Sequence, residues 1–194
     1  MLAAVILSGG ASRRMGSPKA LLPYQGRPFL EHLLDVTALP EIGLRRVVLG
    51  ADAEPIAKAI RLKPEEIVIN TDWEQGQLSS IQAALRSLPA GTDGMLLCLI
   101  DHPLISADLV RELIDYFYAS KKPIVLPVYE GRRGHPVIFS SALYEELLRA
   151  PKETGARAVV WAHAGEVAEL RTNEEGCVLN LNDPETIRKE LGGA

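Results

Sequence analysis

The sequence predicts an α/β fold: three layers, α/β/α, with a mostly parallel sheet covered by helices on both faces. Three observations predict it. Strand-type apolar runs alternate with helix-period segments from Ala3 to Lys122, the pattern of a parallel sheet linked by crossover helices. The run Met95 to Ile100 is apolar at every position, as a strand buried on both faces must be. The first run, Ala3 to Leu7, stops abruptly at paired glycines, Gly9 and Gly10, so a strand feeds directly into a loop whose backbone can approach a ligand.

The elements follow in order. Pro28 opens a helix carrying Phe29, Leu30, Leu33 and Leu34 on one face, with proline tolerated in the first turn. Arg46 to Gly50 is a second strand, and Pro55 opens a short helix through Ile56, Ala59 and Ile60. Ile67 to Ile69 is a third strand. Gln77 to Leu88 spaces Leu78, Ile81, Leu85 and Leu88 for a helix, which Pro89 ends. After the fourth strand, Ser106 caps a helix that buries Leu109, Val110, Leu113, Ile114 and Phe117. Beyond Lys122 the alternation loosens. Ile124 to Val128 and Val137 to Phe139 read as strands around a turn at Glu130 to Gly134. Ser140 caps a helix through Leu147 and Leu148, and Ala156 to Ala162 is another short one. Glu166 to Thr172 and Val178 to Leu181 read as strands, and Pro184 starts the last helix. This second half is expected to leave the sheet as an excursion.

A chain of 194 residues suits one domain, 1–194, with halves of about 1–105 and 106–194 and no linker between them. A net charge of -4 argues against a nucleic-acid binder, which needs a basic face. Two cysteines, Cys98 and Cys177, are too few for a disulfide framework or a zinc site. The N-terminus lacks a basic segment ahead of its apolar run of about seven residues, so no secretory signal is expected. No apolar run approaches the ~20 residues of a membrane span. A reduced cytoplasmic setting with no membrane partner is expected.

Just past the first strand stand Gly9, Gly10, Ser12, Arg13, Arg14, Gly16 and Lys19. Turned backbone N–H groups, a guanidinium fork and a mobile ammonium together suit nucleotide phosphates. The spacing matches neither G-x-G-x-x-G nor G-x-x-x-x-G-K-[ST], and a glycine-rich turn with solvated basic residues is the plain alternative. Asp101 directly follows the fourth strand. An open parallel sheet binds ligands at the carboxyl ends of its strands, so Asp101 should face the same crevice. A carboxylate there suits Mg²⁺, which takes oxygen ligands and often bridges to phosphates; the alternative is a turn cap before Pro103. His102 could orient a ligand or fill a turn and is left outside the catalytic set.

Leu7-Ser8-Gly9-Gly10-x-Ser12-x-Arg14-Met15-Gly16-x-x-Lys19 resembles the signature of the MobA-like nucleotidyltransferases, which include molybdenum cofactor cytidylyl- and guanylyltransferases. The resemblance is strongest over residues 3–30 and reappears more weakly along the chain. It implies a Rossmann-like sheet of the nucleotide-diphospho-sugar transferase type. It also implies transfer of a nucleoside monophosphate from a triphosphate to a phosphorylated acceptor, with Mg²⁺ and loss of pyrophosphate. Arg14, Lys19 and Asp101 become the catalytic set. Leu7, Ser8, Gly9, Gly10, Ser12, Arg14 and Lys19 bind the nucleotide, with the base near Asn70, Ser79 and Ser80. The turn Asn180-Leu181-Asn182-Asp183-Pro184 supplies a second metal oxygen at Asn182 beside Asp101, although family members often carry Asp at both Asn180 and Asn182. Capping of the last helix is the alternative for Asn182 and Asp183. Gly134-His135-Pro136 resembles the cytidylyl branch and puts His135 on the acceptor side, with a structural histidine as the alternative. Arg157, after Gly155-Ala156, could reach an acidic acceptor or be solvated at the surface.

Molybdopterin is the expected acceptor, and a molybdoenzyme or chaperone the expected protein partner. CTP is favoured over GTP: Leu78-Ser79-Ser80 sides with the cytidylyl branch, Gly9 with the guanylyl branch, where a missing methyl group leaves room for a purine. Two rivals use the same scaffold, an NADPH-dependent oxidoreductase and a nucleotide sensor without turnover. Retention of both Lys19 and Asp101 counts against each.

Overall fold

The computed structural model describes residues 1–11 and 16–192. The chain opens with β1 (Leu2–Ser8), buried at every residue. A small hairpin, β2 (Pro23–Tyr24) and β3 (Arg27–Pro28), leads into α1 (Phe29–Val36). Then follow β4 (Ile42–Leu49), α2 (Ala53–Ala59), β5 (Ile67–Ile69) and α3 (Gln77–Ser87). β6 (Gly94–Leu99) is again fully buried, and α4 (Ala107–Ser120) begins at Ser106, whose Oγ accepts from the Leu109 N–H. β7 (Ile124–Tyr129), β8 (Arg132–Arg133) and β9 (Val137–Ser140) form an antiparallel group. α5 (Tyr144–Arg149), α6 (Arg157–Ala162), β10 (Val167–Arg171) and α7 (Pro184–Leu191) complete the chain. Among the described residues no helix is long and apolar enough to cross a membrane.

Eight strands form one sheet in the order β10-β7-β9-β6-β1-β4-β5, with β8 on β7. β1 runs parallel to both β4 and β6. The alternation of side chains sorts each strand between two cores. Leu2, Ala4 and Ile6 of β1, with Leu96 and Cys98 of β6, pack under α1, α2 and α4. Val5 and Leu7, with Met95, Leu97 and Leu99, pack under α3, α5 and α6. The α/β/α layering is therefore as the sequence predicts.

Two expectations need correction. The second half is not an excursion: β9 inserts antiparallel between β6 and β7 and extends the same sheet. Residues 178–181 are not a strand. Their backbone groups bond to loops rather than to a ladder: the Leu181 N–H donates to the Asp101 carbonyl at 2.8 Å, and just ahead of them the Cys177 carbonyl accepts from His135 at 2.8 Å. This segment is a strap laid across the carboxyl ends of the strands. Ser140 caps a single 3-10 turn, Ser141–Leu143, before α5 starts.

Candidate active site

The path from β1 to β4 leaves on one side of β1, and the later return to β6 arrives on the other. That is a switch point, where the carboxyl ends of neighbouring strands open a crevice. Leu7 pairs with Leu99 in register, and the Ile100 N–H donates to the Leu7 carbonyl at 3.2 Å. The glycine loop and Asp101 therefore leave adjacent strands at one level. Between them lies a cavity of ≈ 240 Å³ lined by Leu7 to Ala11, Lys19, Asp52, Trp73, Ser80 and Asp101. Ser12 and Arg14 lie outside the described residues.

Glycine at position 9 has a packing cause. A Cβ there would stand 2.8 Å from Ser80 Oγ. Its carbonyl accepts from the Ala51 N–H at 3.2 Å, and a Cβ on Gly50 would lie 2.2 Å from that same oxygen. The loops after β1 and β4 thus meet backbone to backbone, which only small residues permit.

The start of α3 is organised by Asn70, which is buried. Its Nδ2 donates to Ser79 Oγ at 2.9 Å and Ser80 Oγ at 3.0 Å, while its Oδ1 accepts from the Asp72 N–H at 3.0 Å. Ser79 Oγ in turn donates to the Asp72 and Gly76 carbonyls. Asn70, expected to meet the base, is in neither cavity wall; its amide is used to hold the turn. Ser80 does line the glycine-loop cavity. Gly76 precedes α3 at φ +93° and ψ -179°, a region essentially reserved for glycine.

The strap reaches the same end of the sheet through side-chain hydrogen bonds. Glu174 anchors it, accepting at 2.6 Å from both the N–H and the Oγ of Ser106. Asn180 Nδ2 donates to Asp101 Oδ2 at 3.0 Å and reaches His102 Nε2 at 3.4 Å. Asn182 Oδ1 accepts from Lys19 Nζ. Asp183 caps α7, accepting from the Glu185 and Thr186 N–H groups. The strap therefore joins Lys19 and Asp101, which the sequence places 82 residues apart.

A second cavity, ≈ 660 Å³, adjoins the first and shares Gly76, Gln77, Leu99 and Asp101 with it. Its lining includes His102, His135, Arg157 and Trp161. The His102 and His135 rings lie 4.9 Å apart. Burial pushes His135 down to about 4, with His102 adding to the shift. Burial also lowers His102, against the opposing pull of Asp101. Sequence reasoning missed Trp73, Asn180 and Trp161; Trp73 stood two residues before the Gln75-Gly76 turn, and with Trp161 is one of two tryptophans in the chain.

The MobA-like NTP transferase domain matches residues 4–167. This chain belongs to the MobA-like NTP transferase family. It is 34% identical over 150 residues to the nicotine blue oxidoreductase of Paenarthrobacter nicotinovorans, covering 72% of this chain and 71% of that one. It is 27% identical over 206 residues to the bifunctional protein GlmU of Clavibacter sepedonicus, where the match spans 98% of this chain but 38% of the relative. The crystal structure of Rv0371c from Mycobacterium tuberculosis H37Rv superposes with a TM-score of 0.84 at 30% identity, covering 98% of this chain and 97% of that one. A further structure of Rv0371c, in complex with manganese, superposes at 0.76 and 28% identity, covering 100% and 99%.

Proposed function

We propose that this MobA-like protein, acting as one domain over residues 1–194, transfers a nucleoside monophosphate from CTP to the phosphate of molybdopterin and releases pyrophosphate. One observation carries the reading: Asp101 stands in the walls of two adjoining cavities, one formed by the glycine loop, the other large enough for an acceptor. In-line attack on the α-phosphorus requires two substrates to meet at one point, and that point is beside Asp101.

The Gly9 and Gly10 N–H groups and Lys19 hold the triphosphate, and Arg14 joins them on the resemblance alone. Asp101 and the Asn182 amide oxygen are the residues that would hold Mg²⁺. They form an all-oxygen set suited to a hard cation, and no group of three His, Cys, Asp or Glu stands ready among the described residues. Phosphate oxygens and water would complete such a shell, as Mg²⁺ prefers. An ion held there would supply charge neutralisation to the phosphate oxygens. Asn180 holds one oxygen of Asp101 and so sets its direction. Asn182 releases Lys19 to the phosphates when the triphosphate enters. The acceptor phosphate is already ionised and needs no general base.

CTP is favoured because the one feature that sided with GTP has another cause. Gly9 is accounted for by its approach to Ser80, so it no longer argues for a purine. Pyrophosphate release is to be measured with CTP, GTP and ATP and Mg²⁺, against molybdopterin and other phosphorylated acceptors. Release that requires CTP and molybdopterin supports the reading; none with any pair overturns it.

A second reading has one observation behind it, the 34% identity to a nicotine blue oxidoreductase. It predicts NADPH consumption in place of pyrophosphate release. Following absorbance of the nicotinamide in the same samples separates the two.

A further inference from the structure

We propose that Trp161, with Arg157 one turn earlier on α6, determines acceptor specificity by selecting a planar, π-rich molecule that carries an anionic group. The inference rests on the reading that the larger cavity takes the acceptor.

Trp161 is 63% exposed. An isolated exposed apolar residue is ordinary, but this one lines the second cavity. Water is thus the main contact of the largest side chain type in this lining. The floor beneath is apolar, with Leu97, Leu126 and Val137 from the sheet. α6 is held over this floor by Val159, which is buried in the same core. An indole and aliphatic side chains lining one cavity suit a flat ring better than a puckered, hydroxylated one.

Charge supplies the second half of the selection. Arg133, Lys152 and Arg157 line this cavity against Asp101 and Glu153. Arg133 is paired with Glu169, and Lys152 donates to Gln75 Oε1 at 2.6 Å. Arg157 has no ion-pair or side-chain hydrogen-bond partner among the described residues. Four residues apart on one helix, Arg157 and Trp161 share a face. Their guanidinium and indole can therefore engage the anionic and planar parts of a single molecule.

The test uses binding alone, by calorimetry on the whole chain. The probes are 1-naphthyl phosphate, which is planar and anionic, cyclohexyl phosphate, which is anionic only, and 2-naphthol, which is planar only. Wild type is expected to prefer 1-naphthyl phosphate to both others. Trp161→Ala and Trp161→Leu should weaken it by about 5- to 100-fold, the range for loss of a stacked aromatic, while Trp161→Phe retains most of the affinity. Cyclohexyl phosphate should be unchanged by Trp161→Ala, and Arg157→Gln should weaken both phosphates alike.

Equal binding of naphthyl and cyclohexyl phosphates, no saturable naphthyl phosphate binding at millimolar concentration, or indifference to Trp161→Ala overturns the proposal. So does sedimentation showing a wild-type dimer that Trp161→Ala separates without altering ligand selection, since the ring then serves a second copy of the chain. Selectivity that survives while pyrophosphate release is never observed refutes the transferase reading alone. Pyrophosphate release with no Trp161-dependent selectivity refutes this inference alone.

Discussion

Asn180 Nδ2 stands 3.0 Å from Asp101 Oδ2, so an exposed amide on the strap fixes the carboxylate at the end of β6. A hydrogen bond to a charged group contributes about 1.5–3 kcal/mol, enough to decide which way that carboxylate points. Asp101→Asn is expected to lower Mg²⁺-dependent turnover by about 100-fold or more, with the unfolding temperature nearly unchanged because Asp101 is not a core residue. Asn180→Ala should cost about tenfold through orientation alone. Pyrophosphate release and thermal unfolding, measured together, check both. Near-normal turnover of Asp101→Asn would remove Asp101 from the metal site.

Lys19 lines the glycine-loop cavity and donates to Asn182 Oδ1. Lys19→Ala should weaken triphosphate binding or turnover by about 10- to 1,000-fold, from the loss of a charge-assisted contact. Lys19→Arg should restore only part of it, since a planar fork does not replace a compact ammonium. Titration with CTP and Mg²⁺ reads the effect, and unaltered affinity in Lys19→Ala would exclude a phosphate role.

Gly9→Ala places a methyl group against Ser80 Oγ, an oxygen already held by Asn70. The expected cost is about 1–3 kcal/mol, the range for overpacking. Gly9→Ala with Ser80→Ala should regain most of the stability, because the clashing atom is gone. Chemical denaturation of the two single variants and the double variant completes the cycle. In competition binding, GTP at least tenfold tighter than CTP in wild type, reversed in Gly9→Ala, would return this glycine to the role of purine selector.

His163 closes α6 against α5. Its Nδ1 lies 2.7 Å from Glu166 Oε2 and its Nε2 3.0 Å from Glu146 Oε2. Hydrogen bonds to Glu166 and then Glu146 raise its pKa above 6.5. The sign follows from linkage: a raised folded-state value gives stabilisation fully present below the unfolded value and lost as pH rises through the folded one. Unfolding measured from pH 5.5 to 8.5 should therefore show His163→Gln to differ most from wild type at the acid end. A gap that widens with pH would contradict the pairing.

Much of the fold was legible in the sequence because it is set locally or by one period. Ser106 caps α4 through its own hydroxyl, and Met95 to Leu99 read as a doubly buried strand because every side chain is apolar. Asp101 beside the glycine loop followed from those strands, since residues just past parallel strands share one end of a sheet. The antiparallel insertion of β9 was not legible: Val137 to Phe139 would make the same apolar strand beside any neighbour.

Residues 178–181 were misread for a related reason. A short, mostly apolar run looks like a strand until its N–H and carbonyl groups are traced, and these meet loops at Asp101 and, from Cys177, at His135. Asn70 offered amide chemistry suited to a base, yet contacts with Ser79, Ser80 and Asp72 turned it inward. The sequence alone determined the sheet, the glycine loop, Lys19 and the carboxylate at the end of β6. Only the tertiary structure decided that the strap ties Lys19 to Asp101 and that Trp161 opens onto the second cavity. Both depend on chain segments far apart in sequence, whose meeting leaves no local periodic trace.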